Sequence, residues 1–287
     1  MNLGCAARPA LCLLLVAGSA LAGEASPPPV TLPHTELRTL PSQQVKGVTY
    51  KLYVSLPKDY ATSGRSYPVV YLLDADYSFA IARNVVEHLS ERNNLRELIL
   101  VGIAYDGPLQ YRLNRTRDYT PHFSPTGGYG PEYQQHSGGG PAFRRFLAEE
   151  LLPFVQRSYR TGPERTLVGH SYGGLFTTWV AFSEPALFTH YLIVSPSLWY
   201  DGRFIFGMEE AFAKRQRRLP ARMFFSVGAR EGNAERDMVQ DLRRFARQVE
   251  RRGYQGLSTR AHVFDEENHN SVFPAALSRG LRFLHAP

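Results

Sequence analysis

One serine in the chain stands in a context that suits nucleophilic chemistry. Residues 166–174 read TLVGHSYGG, where an apolar run leads into a GxSxG pattern made by Gly169, Ser171 and Gly173. In a nucleophile elbow the serine occupies a strained turn between a strand and a helix, and the flanking glycines let the helix backbone approach closely. Chance alone produces this pattern in about one chain in ten of this length, so the flanking elements must support it.

His269 is the predicted base for this serine. An alcohol is a poor nucleophile near neutral pH, so Ser171 requires a group that takes its proton during attack on a carbonyl. His269 lies in a polar loop after the last predicted strand, where an imidazole can reach the serine. His170 is adjacent to the serine in sequence and is predicted to point elsewhere. A surface or core role is the plain alternative for His269.

Glu231 is the predicted acid that holds the imidazole in its correct tautomer. It follows the carboxyl end of another predicted strand, whereas the acidic run 265–267 is a rival because it is close to His269 in sequence. The chain order of serine, acid and histidine is the order of α/β hydrolases. An ordinary surface carboxylate is the alternative for Glu231.

Two backbone amides are predicted to stabilise the oxyanion of the tetrahedral intermediate. The fold type supplies one amide from the residue after the nucleophile and one from a loop after an earlier strand. Tyr172 provides the first, and Asp76, within residues 75–77, is chosen for the second. The histidines lack the spacing of a metalloprotease site. No metal or cofactor is therefore predicted.

The pattern of apolar residues predicts the elements that position these groups. Alternation over 48–56 is typical of a half-buried antiparallel strand. Continuous apolar runs that alternate with helical periods are typical of a parallel sheet with helices on both faces; they lie at 69–73, 98–104, 191–194, 223–227 and 259–264. Sites in such sheets form beyond the carboxyl ends of the strands. We predict a single α/β-hydrolase domain over 47–287, preceded by an extended lead-in over 23–46.

The first 22 residues have the features of a secretory signal peptide. Arg8 is their only charge, Leu11 to Ala17 form a short apolar core, and an AxA site ends at Ala22. The alternative, a membrane anchor, is disfavoured because the apolar run is about half of the ~20 residues that a span requires. We predict a periplasmic or secreted protein without stable membrane insertion. Cys5 and Cys12 are the only cysteines, so the mature chain has neither disulfides nor thiol chemistry.

The formal net charge of +7 favours anionic partners. The basic residues are scattered, and the arginine-rich run over 243–252 is predicted to be the solvated face of a helix, so no nucleic acid partner is expected. Residues 105–141 form the least regular stretch, in which Arg112, Arg115 and Arg117 alternate with tyrosines. A long irregular stretch in a compact domain is typically functional or disordered, and the aromatic residues argue against disorder. We predict a substrate-binding loop.

Five ordered motifs resemble the putative-esterase family of α/β hydrolases. They are GHSYGGLF (169–176), VVYLLDADYSF (69–79), RTRDYTP (115–121), SPSLWY (195–200) and ENHNSV (267–272). Within that family the chain is most similar to periplasmic siderophore esterases, which open the trilactone of enterobactin-type catecholates. The resemblance implies Ser171 as nucleophile and His269 as base, with Glu231 where the acid usually falls. It also implies that Trp199 and the arginine loop line the substrate cleft.

The resemblance implies hydrolysis of a small anionic, aromatic ester through an acyl-enzyme, which helps to release iron. A ferric triscatecholate is a trianion with aromatic faces, and a basic cleft edged by aromatic residues would attract it. In some siderophore esterases the set of catalytic residues is closer to a serine–histidine dyad than to a triad with an acid. Other possibilities are a general carboxylesterase, a feruloyl or acetyl esterase of the same family, an acyl transferase, or a relative that binds a siderophore without turnover.

Overall fold

A central sheet dominates the computed structural model, which describes Met1 and residues 29–107, 110–233 and 236–287. Across these residues eight strands form one sheet. In chain order the strands are β1 (Thr35–Pro41), β2 (Thr49–Ser55), β3 (Tyr67–Leu72), β4 (Ile99–Tyr105), β5 (Thr161–His170), β6 (His190–Val194), β7 (Arg222–Gly228) and β8 (Ser258–Phe264). Apart from Met1, the predicted signal peptide lies outside the described residues.

The strand order across the sheet is β1-β2-β4-β3-β5-β6-β7-β8. β1 pairs antiparallel with β2, and β2 pairs antiparallel with β4. Every later pair, from β4–β3 to β7–β8, is parallel. β3 and β5 are therefore direct neighbours, and their carboxyl ends lie at the same edge of the sheet.

Helices cover both faces of this sheet. They are α1 (Tyr60–Ser63), α2 (Ala75–Ser90), α3 (Tyr111–Tyr119), α4 (Pro131–Gln134), α5 (Gly140–Arg145), α6 (Leu152–Ser158), α7 (Tyr172–Ser183), α8 (Tyr200–Arg215), α9 (Met238–Arg252) and α10 (Val272–Leu284), and a π-helical turn (Phe146–Leu151) joins α5 to α6. Successive strand residues point to opposite faces. Phe224 contacts Phe283 of α10, whereas Phe225 contacts Phe245 of α9. The predicted α/β-hydrolase architecture is confirmed.

The structure differs from the sequence prediction in two segments. The lead-in contains β1, and the compact unit begins at Pro33 rather than at residue 47. The stretch 105–141, predicted as an irregular loop, contains α3 and α4. Two of these elements depend on distant partners: β1 pairs with β2, and α3 is held at the end of β3. None of the helices in the described part of the chain is long and apolar enough to cross a membrane.

Candidate active site

Ser171 occupies a sharp turn between β5 and α7. Its backbone has φ 61° and ψ −120°, a conformation that L-residues rarely adopt. The turn is tight because a Cβ on Gly169 would lie 2.2 Å from the carbonyl oxygen of Gly173 in the first turn of α7. The glycine spacing seen in the sequence therefore permits the helix to fold back directly onto the strand.

Glu231 and His269 form a hydrogen-bonded pair beyond the ends of β7 and β8. Nδ1 of His269 lies 2.7 Å from Oε2 of Glu231. The other carboxylate oxygen, Oε1, accepts the Ser195 hydroxyl and the Gly228 amide, each at 2.6 Å. The Glu231 side chain is 1% exposed. Both oxygens are satisfied and the carboxylate is fixed, so the Nε2 side of His269 is the side left for chemistry.

The rival acids near His269 have other positions. Asp265 and Glu266 are exposed, and Glu267 accepts a hydrogen bond from the hydroxyl of Ser271. In the described ranges, the carboxylate within hydrogen-bond distance of the His269 ring is that of Glu231. Ser195, which orients Glu231, follows β6 within the SPSLWY motif. Sequence reasoning had not assigned it a role.

His170 faces the site, contrary to the expectation that it points elsewhere. Its ring centroid lies 4.5 Å from that of His269, and its Nδ1 lies 3.1 Å from the hydroxyl of Tyr77. Burial, together with electrostatic repulsion from the neighbouring His269 and Arg115 side chains, lowers the pKa of His170 well below its ordinary value. A neutral imidazole therefore lies against the candidate base, with 34° between the two ring planes.

Ser171 and His269 open into one cavity of about 780 Å³. Aromatic side chains form much of its wall: Tyr77, Tyr111, Tyr129, Tyr133 and Phe273. His170 and Asn270 lie beside the candidate catalytic groups, and Glu132 is the acidic side chain of the lining. The cavity lies at the carboxyl end of the parallel strands, as the fold predicts.

The predicted substrate-binding arginines lie in different environments. Arg112 lines the cavity with an exposed side chain, and it donates to the Tyr133 hydroxyl at 3.3 Å. Arg115 also lines the cavity, but it makes two 3.1 Å hydrogen bonds to the carboxylate of Asp74. That carboxylate is 1% exposed and also accepts the hydroxyl of Tyr111. Sequence reasoning missed Asp74, although an acid directly after a buried strand was a signal.

Arg117 and Trp199 lie outside the lining of this cavity, and their role in substrate binding stays a prediction. Arg117 points toward Asp118, with bonds of 2.7 and 3.0 Å, because that carboxylate is fully buried and requires a cation. Trp199 is buried beside Tyr129, at 5.3 Å between ring centroids, and Arg236 covers its face at 4.1 Å. The indole supports the aromatic wall from behind.

The predicted oxyanion amides belong to the first turns of two helices. Tyr172 begins α7 and Asp76 is the second residue of α2. The first amides of a helix have no partner within the helix, and the helix dipole favours negative charge there. Because these helices follow the adjacent strands β5 and β3, both amides lie at the same edge of the sheet. The carboxylate of Asp76 lies 3.5 Å from the amide of Tyr105.

This arrangement has the parts that an acyl-transfer site needs. A strained serine, an imidazole that shares its cavity, a buried carboxylate behind the imidazole and helix amides can together form and break an acyl-enzyme. Within the described residues, no cluster of three or more histidine, cysteine or acidic side chains is arranged to hold a metal ion.

Comparisons with known proteins agree with this chemistry. Residues 42–284 match the family described as "Putative esterase". The ferri-bacillibactin esterase BesA of Bacillus subtilis is 30% identical over 90% of this chain and 91% of its own. The siderophore enterobactin esterase of Emericella nidulans is 30% identical over 82% of this chain and 89% of its own. The crystal structure of an IroE-like serine hydrolase from Shewanella oneidensis has a TM-score of 0.79, at 30% identity over 88% of this chain and 80% of that one.

The matched family and the similar structures share the fold described above. They support an enzyme that acts on carboxylic ester bonds through a serine. The chain therefore belongs to the esterase family of α/β hydrolases and is a serine hydrolase.

Proposed function

We propose that this enzyme hydrolyses the ester bonds of a catecholate siderophore trilactone and so helps to release iron. The observation that carries the proposal is the aromatic cavity of about 780 Å³ into which Ser171 and His269 open. Catechol rings can stack on its tyrosines, and a bulky cyclic ester requires a large cavity. The siderophore esterases among the relatives support the same substrate class.

The proposed reaction begins with attack of Ser171 Oγ on a lactone carbonyl carbon, while Nε2 of His269 takes the hydroxyl proton. Glu231 stabilises the imidazolium through Nδ1, and the amides of Tyr172 and Asp76 stabilise the oxyanion. Collapse of this intermediate breaks the ester C–O bond of the lactone. The imidazolium gives its proton to the alcohol oxygen of the substrate that leaves. Water, deprotonated by His269, then attacks the acyl-enzyme carbonyl carbon. Collapse of this second intermediate breaks its C–O bond to Ser171 Oγ, the imidazolium returns the proton to Ser171, and the acid product leaves.

The proposed location is the periplasm or the exterior of the cell, after cleavage of the amino-terminal segment near Ala22. Support comes from the sequence pattern of that segment. An enzyme there would meet siderophores during their uptake or their export. Comparing the amino-terminal residue of the exported and the total cellular protein tests this location, and an uncleaved protein retained in the cytoplasm would contradict it.

A substrate panel tests the proposed function. The purified enzyme is incubated with enterobactin, a feruloyl sugar ester and p-nitrophenyl acetate, and products are separated by liquid chromatography. We expect dihydroxybenzoyl-serine products and the highest kcat/KM for enterobactin. Hydrolysis of the feruloyl or acetyl ester without trilactone products would contradict the substrate class.

Two further measurements address the other classes. A fluorophosphonate probe should label Ser171, whereas an unlabelled protein that still binds enterobactin would indicate a binding protein. Addition of an alcohol acceptor should leave the products unchanged, whereas new esters would indicate acyl transfer.

A further inference from the structure

A buried ion pair of Asp74 and Arg115 holds the turn between β3 and α2. Asp74 lies in this turn with a φ of 57°, a left-handed conformation that is uncommon for residues other than glycine. Its carboxylate is 1% exposed and accepts Nε and Nη2 of Arg115, each at 3.1 Å, and the hydroxyl of Tyr111 at 2.8 Å. Its amide donates to the Tyr119 hydroxyl at 3.1 Å. Side chains of α3 therefore fix the position of this turn.

The same ion pair also contacts the turn between β5 and α7, which carries the nucleophile. Nη2 of Arg115 lies 3.3 Å from the carbonyl oxygen of His170, the residue before Ser171. A Cβ on Gly173 would lie 3.1 Å from Oδ2 of Asp74, so the carboxylate packs against the first turn of α7. The guanidinium and the carboxylate thus connect the two turns.

These two turns supply the predicted oxyanion amides. The amide of Asp76 is two residues beyond Asp74, and the amide of Tyr172 is two residues beyond His170. Both donors must lie about 2.7–3.1 Å from the position that the oxyanion will occupy. A displacement of about 1 Å can lower the rate about 10²-fold. The contacts that fix the separation of the turns therefore bear on the transition state.

We infer that Arg115 is a positioning residue, which together with Asp74 sets the spacing of the two oxyanion amides. The inference rests on the proposed function only in its acyl-enzyme mechanism, and it applies to any ester that the enzyme hydrolyses. The charge of Arg115 is offset by the carboxylate, and its side chain is 12% exposed. A substrate anion therefore meets a neutralised and largely buried group. The rigid fork of a guanidinium can bond both turns at once, which the single ammonium of a lysine cannot reproduce.

Steady-state kinetics of Arg115→Lys with p-nitrophenyl acetate test the inference. The substrate is uncharged, so loss of charge recognition does not affect its binding. We expect kcat to fall about tenfold or more while KM stays within about twofold of wild type, because a displaced oxyanion donor matters only in the transition state. The inhibition constant of phenylboronic acid should rise by about the same factor, because its adduct with Ser171 is a tetrahedral anion that resembles the transition state.

Asp74→Asn tests the other half of the pair. It keeps the shape of the side chain and removes its charge, and it should lower kcat with little change in KM. The double variant Arg115→Lys/Asp74→Asn should lose no more than the more impaired single variant, because both substitutions break one contact. Losses that multiply would contradict action through a common pair.

Arg252→Lys is the matched control for the cost of a weakened buried ion pair. Its partner Glu209 is also a fully buried carboxylate that accepts an arginine and a tyrosine hydroxyl, that of Tyr254. This pair lies outside the lining of the cavity. Urea denaturation measures the stability of both lysine variants. The control should lose stability and keep the wild-type kcat and boronate inhibition constant.

Tyr111→Phe keeps the inference testable if Arg115→Lys does not fold. It removes one hydrogen bond to Asp74, and we expect kcat to fall about threefold to fivefold. A wild-type kcat in the variants of Arg115 and Tyr111 that fold, or a loss confined to KM, would overturn the inference. An equal loss of kcat in Arg252→Lys would overturn it as well. Hydrolysis of enterobactin by wild type decides the proposed substrate separately, because these measurements use p-nitrophenyl acetate.

Discussion

At the scale of single residues, the chemistry depends on how firmly Glu231 is held. Its two oxygens bind His269 on one side and the Ser195 hydroxyl with the Gly228 amide on the other. Ser195 itself has φ 41°, so its backbone is strained toward this contact. A carboxylate fixed in this way can orient the imidazole at every turnover.

Ser195→Ala should lower kcat about tenfold with little change in KM, because Glu231 loses a hydrogen bond to a charged group and gains freedom to rotate. Steady-state kinetics with p-nitrophenyl acetate measure the effect. Ser197→Ala is the matched control. The Ser197 hydroxyl is buried without a hydrogen-bond partner among the described residues. The kcat of this variant should therefore equal that of wild type. Equal losses in both variants would contradict the positioning role of Ser195.

The sequence predicted Glu231 from its place after a strand, but not the side chains around it. Order along the chain indicates which residues reach one edge of the sheet, and this was enough for Ser171 and His269. It does not indicate side-chain direction. For that reason Ser195, Asp74 and the inward orientation of His170 were missed.

At the scale of elements, the strand–turn–helix unit of β5 and α7 is built on close backbone contact. Gly169 faces the carbonyl of Gly173, and a Cβ on Gly174 would lie 2.8 Å from the carbonyl of Val194 on β6. The helix can therefore lie directly over the two central strands. The sequence predicted this unit because its glycines, apolar strand and helix are contiguous.

Gly169→Ala should lower the free energy of unfolding by about 3 kcal/mol, since backbone atoms cannot rotate away from the added methyl group. Urea denaturation measures this change. Gly207→Ala in α8 is the matched control, because nothing lies within 4 Å of its added Cβ. That variant should be more stable by about 0.5–1 kcal/mol. A Gly169 variant as stable as wild type would contradict the close approach of α7.

The stretch that contains α3 was harder to predict. Its residues, YRLNRTRDY, have no apolar period, and the helix is held by tertiary contacts instead. Arg115 pairs with Asp74, and the buried Asp118 accepts the Tyr50 hydroxyl at 2.8 Å. Asp74 and Tyr50 both lie before residue 76, far from α3 in sequence. The pattern of residues within the helix therefore cannot indicate them.

At the scale of the whole molecule, two groups of titratable residues lie away from the active site. One is the group of exposed basic residues at the end of α8 and along α9, which includes Arg215, Arg243 and Arg247. At the amino-terminal end of β6, opposite the site, the rings of His190 and His285 stack at 5.1 Å. Nε2 of His285 lies 2.7 Å from the Thr166 hydroxyl, and Glu164 pairs with Arg96 nearby.

Stability should fall as the pH is lowered from about 6.5 toward 4. Burial lowers the pKa of His190 to about 4 and that of His285 to about 3. Between those values and about 6.5 the unfolded chain binds protons that the folded chain does not, so acid favours unfolding by about 2 kcal/mol for each histidine at pH 5. Above pH 7 both states are neutral and the effect disappears.

Urea denaturation at pH 7.5 and pH 5.0 measures this loss in wild type and in His190→Gln. The variant should lose about 2 kcal/mol less on acidification, because one titrating group has been removed. The wild type at pH 7.5 is the reference for any pH-independent cost of the substitution. Equal acid losses in the two proteins would contradict the neutral state of the buried pair.

The most direct test of the account is turnover of enterobactin by Ser171→Ala. Product formation is followed by liquid chromatography, and substrate affinity by quenching of protein fluorescence. The account predicts that kcat falls by about 10³–10⁶-fold while Kd changes little, because the serine acts mainly in the transition state. Retention of trilactone hydrolysis in this variant would contradict an acyl-enzyme on Ser171.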